Sequence, residues 1–78
     1  MRVQVRYFAR LRELKAVSSE EVELAEPTSV AALYGELFPV GPDGALPVMY
    51  AVNEEYVTAS HIVQDGDEVA FIPPLGGG

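Results

Sequence analysis

The 78-residue chain has no cysteine and no tryptophan. Without a thiol there is no disulfide, no thiolate metal site and no cysteine nucleophile. His61 is the only histidine, so a zinc site would need carboxylates for nearly all its ligands, and no spacing suggests a catalytic triad. Basic residues are equally restricted. Arg2, Arg6, Arg10, Arg12 and Lys15 are the only five, all within the first fifteen positions, against twelve acidic residues and a formal net charge of −7. Binding to nucleic acid or to an anionic membrane rests on Lys and Arg, so neither is expected. No apolar run approaches the ~20 residues of a membrane span. The opening Met1 to Arg6 alternates charge and hydrophobe where a secretion signal needs an unbroken apolar stretch, which makes the cytoplasm the expected location. A protein or a basic pocket is the expected partner.

What is present is globular. Hydrophobic residues make up 49% of the chain, too many for a disordered segment, and the length allows one core only. Arg2 to Phe8 alternates strictly, with Val3, Val5 and Tyr7 on one face and Arg2, Gln4, Arg6 and Phe8 on the other, the period of a half-buried strand. From Ala9 to Ala16 the period changes, and Leu11 and Leu14 stand three apart as on a short helical turn. Glu21 to Ala25 alternates again, with Val22 and Leu24 inward. Pro27-Thr28-Ser29 precedes the apolar stripe Val30, Leu33, Leu37 and Phe38, which predicts the main helix, capped by Thr28 or Ser29. Residues 39–47 hold three prolines and two glycines and read as a loop. Met49 to Asn53 resumes as a strand, Glu54-Glu55 as a turn and Tyr56-Val57 as a short return strand. Asp65-Gly66-Asp67 signals a tight turn before Glu68 to Ile72, with Val69 and Phe71 inward and Ala70 and Ile72 outward. The order suggests an α+β fold, a sheet of about five strands with one main helix across it.

The densest functional signal is Phe71-Ile72-Pro73-Pro74-Leu75-Gly76-Gly77-Gly78. Two prolines end the strand and project a stiff stem. Three glycines follow, free of side chains and able to enter a narrow tunnel in another protein. The domain is expected over 1–75, with a flexible tail at 76–78. The reactive group would be the Gly78 α-carboxylate, a poor electrophile until a partner converts it to an acyl-adenylate with ATP, after which sulfide attack gives a thiocarboxylate. A frayed end is the plain alternative. Phe8 and Ile72 share outward parity on the first and last strands, which gives an exposed docking patch if those strands are neighbours, or residues packed under a loop. The Asp65 to Glu68 carboxylates lack the spacing of a calcium loop. Glu20, Glu21 and Glu23 read as a solvated edge face, and His61 as a turn or packing residue.

Val5 to Leu14, then Ala51-Val52-Asn53, then Asp65 to Pro74 and the terminal glycines resemble the small subunit of molybdopterin synthase, the MoaD family. The blocks run in family order over nearly the whole chain. Ile72 stands where the family often has an aromatic, and Gly76 where a hydroxyl or aliphatic residue is usual. The resemblance implies a ubiquitin-like β-grasp fold. It also implies that Gly78 is adenylated by an E1-like enzyme (MoeB), becomes a thiocarboxylate, and is inserted into the large subunit (MoaE), in a heterotetramer. There it donates sulfur to cyclic pyranopterin monophosphate, building the molybdopterin dithiolene. On this basis Gly76 and Gly77 are tail-binding residues, and Phe8, Arg12, Tyr56, Ile72, Pro73, Pro74 and Leu75 are partner contacts. No metal or cofactor is implied for the chain itself, ATP being used by the activating partner. His61 to Asp67 is also similar to the thiamine-pathway carrier ThiS, so a carrier for thiamine or transfer-RNA thiolation is the alternative, followed by a ubiquitin-like protein modifier.

Overall fold

A computed structural model describes residues 1–39 and 46–74. The first strand, β1 (Arg2–Tyr7), buries Val3, Val5 and Tyr7 and exposes the residues between them, as its period of two dictates. Phe8 stays extended (φ −124°, ψ 152°) and caps α1 (Ala9–Lys15), so it keeps strand parity one residue past the strand. The helix ends where Ala16 turns left-handed (φ 64°) and donates its N–H to the Arg12 carbonyl at 2.8 Å. Only Leu11 of α1 is buried. Leu14, three positions on from Leu11, is 56% exposed. A seven-residue helix turned on Leu11 swings a residue three positions on to the rim of the contact.

The next strand, β2 (Ser19–Glu23), returns antiparallel to β1. It starts and ends two residues before the stretch predicted from alternation, because backbone pairing with β1 sets its limits. Glu20 lies opposite Val5 and so on the core side, not on a solvated face with Glu21 and Glu23. Its carboxylate accepts a hydrogen bond from the Tyr7 hydroxyl, which satisfies a polar group brought to the edge of the core. Glu21 and Glu23 do face solvent, where both pair with Arg2 at 3.0 Å.

The main helix, α2 (Val30–Leu37), begins at Ser29, whose Oγ accepts the Ala32 N–H at 3.1 Å. It buries Val30, Leu33 and Tyr34. Three strands complete the sheet, β3 (Met49–Val52), β4 (Glu55–Val57) and β5 (Glu68–Ile72), in the order β2-β1-β5-β3-β4. Only β1 and β5 run parallel, and they are neighbours at the centre. A parallel pair needs a crossover, supplied here by everything between the two strands.

The core lies between one sheet face and α2, with Val3, Val5, Tyr7, Val69 and Phe71 from the central strands against Leu11, Val30, Leu33 and Val63. Tyr34 links helix to sheet. Its ring centroid is 5.1 Å from Phe71 and 5.3 Å from Phe38, and its hydroxyl donates to the Leu46 carbonyl at 2.7 Å. Among the described residues no buried side-chain N or O lacks a partner, and no helix is long and apolar enough to cross a membrane.

Two turns position the site. The β3–β4 turn is Asn53-Glu54, one residue earlier than the predicted Glu54-Glu55, with both residues left-handed (φ 52° and 71°). Two positive φ angles define a type I′ turn, and asparagine tolerates the first of them. The turn before β5 closes with Asp67 N–H on the Gln64 carbonyl at 3.0 Å and places Gly66 at φ 86°, a conformation that favours glycine. It is not a hairpin turn. Gly66 N–H reaches the Arg2 carbonyl at 2.7 Å and Gln4 N–H the Asp67 carbonyl at 2.9 Å, which docks the turn beside the start of β1.

Candidate functional site

Among the described residues no helix covers the sheet face opposite α2. Arg6, Ala70, Ala51 and Tyr56 form one row across β1, β5, β3 and β4, at ~4.8 Å per strand. In the next row Ile72 lies opposite Met49, and Phe8, one residue beyond the Tyr7–Phe71 pair, falls on the same side. Two alanines in the middle of the row leave a floor, and Phe8, Ile72 and Tyr56 stand around it as walls of a concavity of about 180 Å³. Tyr56 is 70% exposed and Met49 42%, while Phe8 and Ile72 are half-buried. The patch expected from the parity of Phe8 and Ile72 is therefore present, because β1 and β5 are neighbours.

The rim is charged. The Arg6 guanidinium stands 5.3 Å over the Phe8 ring and 3.6 Å from the Glu68 carboxylate. Glu54 borders the same concavity. Asn53 ties the β3–β4 turn to β5: its Oδ1 accepts the Glu68 N–H at 3.0 Å and its Nδ2 donates to Asp67 at 3.0 Å. The open face is thus held by backbone pairing and a side-chain clamp.

The other predicted contacts fall elsewhere. Arg12 is exposed in the last turn of α1 and does not line the concavity that groups Phe8, Tyr56 and Ile72. Pro73 and Pro74 line a separate groove with Arg10, Leu46 and Pro47. Leu75, Gly76, Gly77 and Gly78 lie outside the described residues. The chain nonetheless leaves the sheet at Ile72, from a central strand and beside the patch. Met49, Ala51, Ala70, Arg6 and Glu54 were not singled out from sequence; only strand order brings them to the site.

Two tyrosines have displaced acidities, both in the core. Burial, then the hydrogen bond to Glu20 and its negative charge, hold the Tyr7 hydroxyl above the usual 10. Tyr34 is pushed up by burial and by its neighbour Tyr50. No group of three His, Asp or Glu side chains among the described residues is placed to hold a metal.

The ThiS family matches residues 5–78, from the middle of β1 to the final glycine. The chain belongs to the ThiS family. This ThiS-family chain is 36% identical to the molybdopterin synthase sulfur carrier subunit of Chlamydomonas reinhardtii, over 100% of both chains. Further relatives at 34–39% identity carry the same description, in Arabidopsis thaliana, Homo sapiens, Escherichia coli and Mycobacterium tuberculosis. Among solved structures, a putative molybdopterin converting factor subunit 1 from Pyrococcus furiosus is 35% identical with a TM-score of 0.76, covering 96% of this chain and 99% of its own. SAMP1 from Haloferax volcanii is 26% identical with a TM-score of 0.75, covering 100% of both. The mixed sheet crossed by α2 is the ubiquitin-like β-grasp fold, as the sequence resemblance implied.

Proposed function

We propose that this ThiS-family protein is a cytoplasmic sulfur-carrier subunit of a molybdopterin synthase, and that the Gly78 carboxylate carries the sulfur. The observation that supports this most is the match to the Chlamydomonas carrier subunit over 100% of both chains. At neutral pH a terminal carboxylate, with a reference pKa of roughly 3.3–3.7, is anionic and resists nucleophiles. An E1-like adenylating enzyme (MoeB) removes that resistance. Carboxylate oxygen attacks the α-phosphorus of ATP, pyrophosphate leaves, and the acyl-adenylate forms. A sulfur nucleophile then takes the acyl carbon and AMP departs, leaving the thiocarboxylate. Two such transfers to cyclic pyranopterin monophosphate, one sulfur from each of two carriers and with water supplying the returning oxygen, restore the plain carboxylates and build the dithiolene.

The chain contributes position rather than catalysis. Phe8, Tyr56 and Ile72 dock on the large subunit (MoaE), in an assembly of two copies of each, and Pro73-Pro74 direct the tail from the docking face into it. Pro73 to Gly78 span about 20 Å fully extended and Leu75 to Gly78 about 13 Å, at ~3.3 Å per residue. The acceptor site is therefore a cleft about that deep, lined with Lys or Arg for an anionic pterin phosphate and the thiocarboxylate. ATP is consumed by the activating partner, with no cofactor held by this chain.

Thiocarboxylated protein mixed with the large subunit and cyclic pyranopterin monophosphate is expected to yield dithiolene product and unmodified carrier. Transfer to a thiamine thiazole synthase or a transfer-RNA thiolase in its place overturns the assignment. A second reading, a ubiquitin-like modifier, draws on the likeness to SAMP1. It calls for higher-mass conjugates of Gly78 with lysines of other proteins.

A further inference from the structure

The concavity on the open face has two unlike ends. Ala51 and Ala70, opposite each other in register, form its floor. Phe8 and Ile72 close one end, and Glu54 and Glu68 the other. Arg6 offsets Glu68 from 3.6 Å, while among the described residues no ion pair involves Glu54. The acidic end therefore keeps a net negative charge beside the Tyr56 ring.

Glu54 is held there against its backbone preference. Its φ of 71° is left-handed, at the turn position where glycine is the favoured residue. The Asn53 N–H donates to the Glu68 carbonyl at 2.8 Å, and the Asn53 Oδ1 accepts the Glu68 N–H at 3.0 Å. Turn and strand are tied together, so the spacing of the two backbone positions that carry the carboxylates is set before anything binds. The space, about 180 Å³, is below the ~300–1,000 Å³ of small-molecule sites and suits one inserted side chain.

We propose that this trough receives a single arginine side chain from the docking partner. Its aliphatic stem lies on Ala51 and Ala70, and its guanidinium enters between Glu54 and Glu68 against the face of Tyr56. Arginine fits better than lysine because its planar, weakly hydrated head can meet carboxylates in a fork and stack on an aromatic ring at once. A second copy of this chain is a poor occupant, since each copy carries a net charge of −7. The identity of the partner, the large subunit, rests on the sulfur-carrier reading above.

The test is calorimetric titration of the full chain with that purified large subunit, at low and high salt, for the wild type, Glu54→Gly, and the double variant Glu54→Gln with Glu68→Gln. Glu54→Gly relieves the left-handed strain, so it should melt no lower than the wild type, yet bind about tenfold weaker or worse. The double variant should bind weaker still and lose most of the salt dependence. Wild-type affinity in both variants overturns the arginine trough and leaves the sulfur-carrier reading standing. A large subunit that does not bind the wild type overturns that reading and the trough with it.

Discussion

Phe8→Ala separates docking from folding. Phe8 lies outside the buried cluster, partly exposed on the open face, and its specific contact is the Arg6 guanidinium 5.3 Å above its ring. A cation–π contact at an exposed site contributes ~0.5–1 kcal/mol, and the partial burial adds a similar amount. The fold should therefore lose about 1–2 kcal/mol, or a Tm drop of roughly 4–16 °C for a domain of this size. Phe71→Ala is the contrast: with 0% exposure its truncation costs ~3–5 kcal/mol and threatens the fold itself. On the docking side, an aromatic anchor desolvated by a partner is worth ~1–3 kcal/mol, so affinity for the large subunit should fall about 5- to 150-fold. Circular-dichroism melting gives the first quantity and calorimetric titration the second. A Tm loss beyond ~20 °C with unchanged affinity would show that Phe8 serves the core and that the open face is not where the partner sits.

Tyr7 and Tyr34 hold their protons more tightly in the folded state than the reference value near 10. Their contribution is complete below pH ~10 and is lost as pH rises through the higher folded values, with a slope of up to ~1.4 kcal/mol per pH unit for each tyrosine. Urea midpoints between pH 8 and 12 should show this alkaline decline, and Tyr7→Phe should make it shallower; a flat profile in the wild type contradicts it. Asn53→Ala removes two side-chain hydrogen bonds and leaves alanine at φ 52°, an expected loss of about 2–3 kcal/mol. Asn53→Gly keeps the turn angle but not the clamp, so it should lose less. Equal losses in urea denaturation would mean that the turn angle costs nothing.

The strands were legible because burial follows a period of two: Val3, Val5 and Tyr7 inward with Phe8 outward, and Val69 and Phe71 inward with Ile72 outward, are all as the alternation reads. The main helix announced itself through Ser29 and its apolar stripe. Pairing partners left no such mark. Glu20 reads as a solvent residue until the β1–β2 register sets it opposite Val5, and the turn slipped by one residue because asparagine and glutamate both accept turn positions. Of the open face, the large side chains carried a signal and the floor did not. Ala51 and Ala70 matter by being small, and they meet only because β5 lies between β1 and β3, a non-local fact that no residue spells out.

The central claim is that sulfur is carried on the Gly78 carboxylate, and intact mass tests it most directly. Purified chain incubated with the activating enzyme, ATP and a sulfide source should gain about 16 Da, oxygen replaced by sulfur, at the C-terminal glycine. Removal of Gly77 and Gly78 should abolish the gain and leave the melting temperature unchanged, since no side chain leaves the core. An unshifted mass in the full chain, or the same gain in the truncated one, would contradict the account.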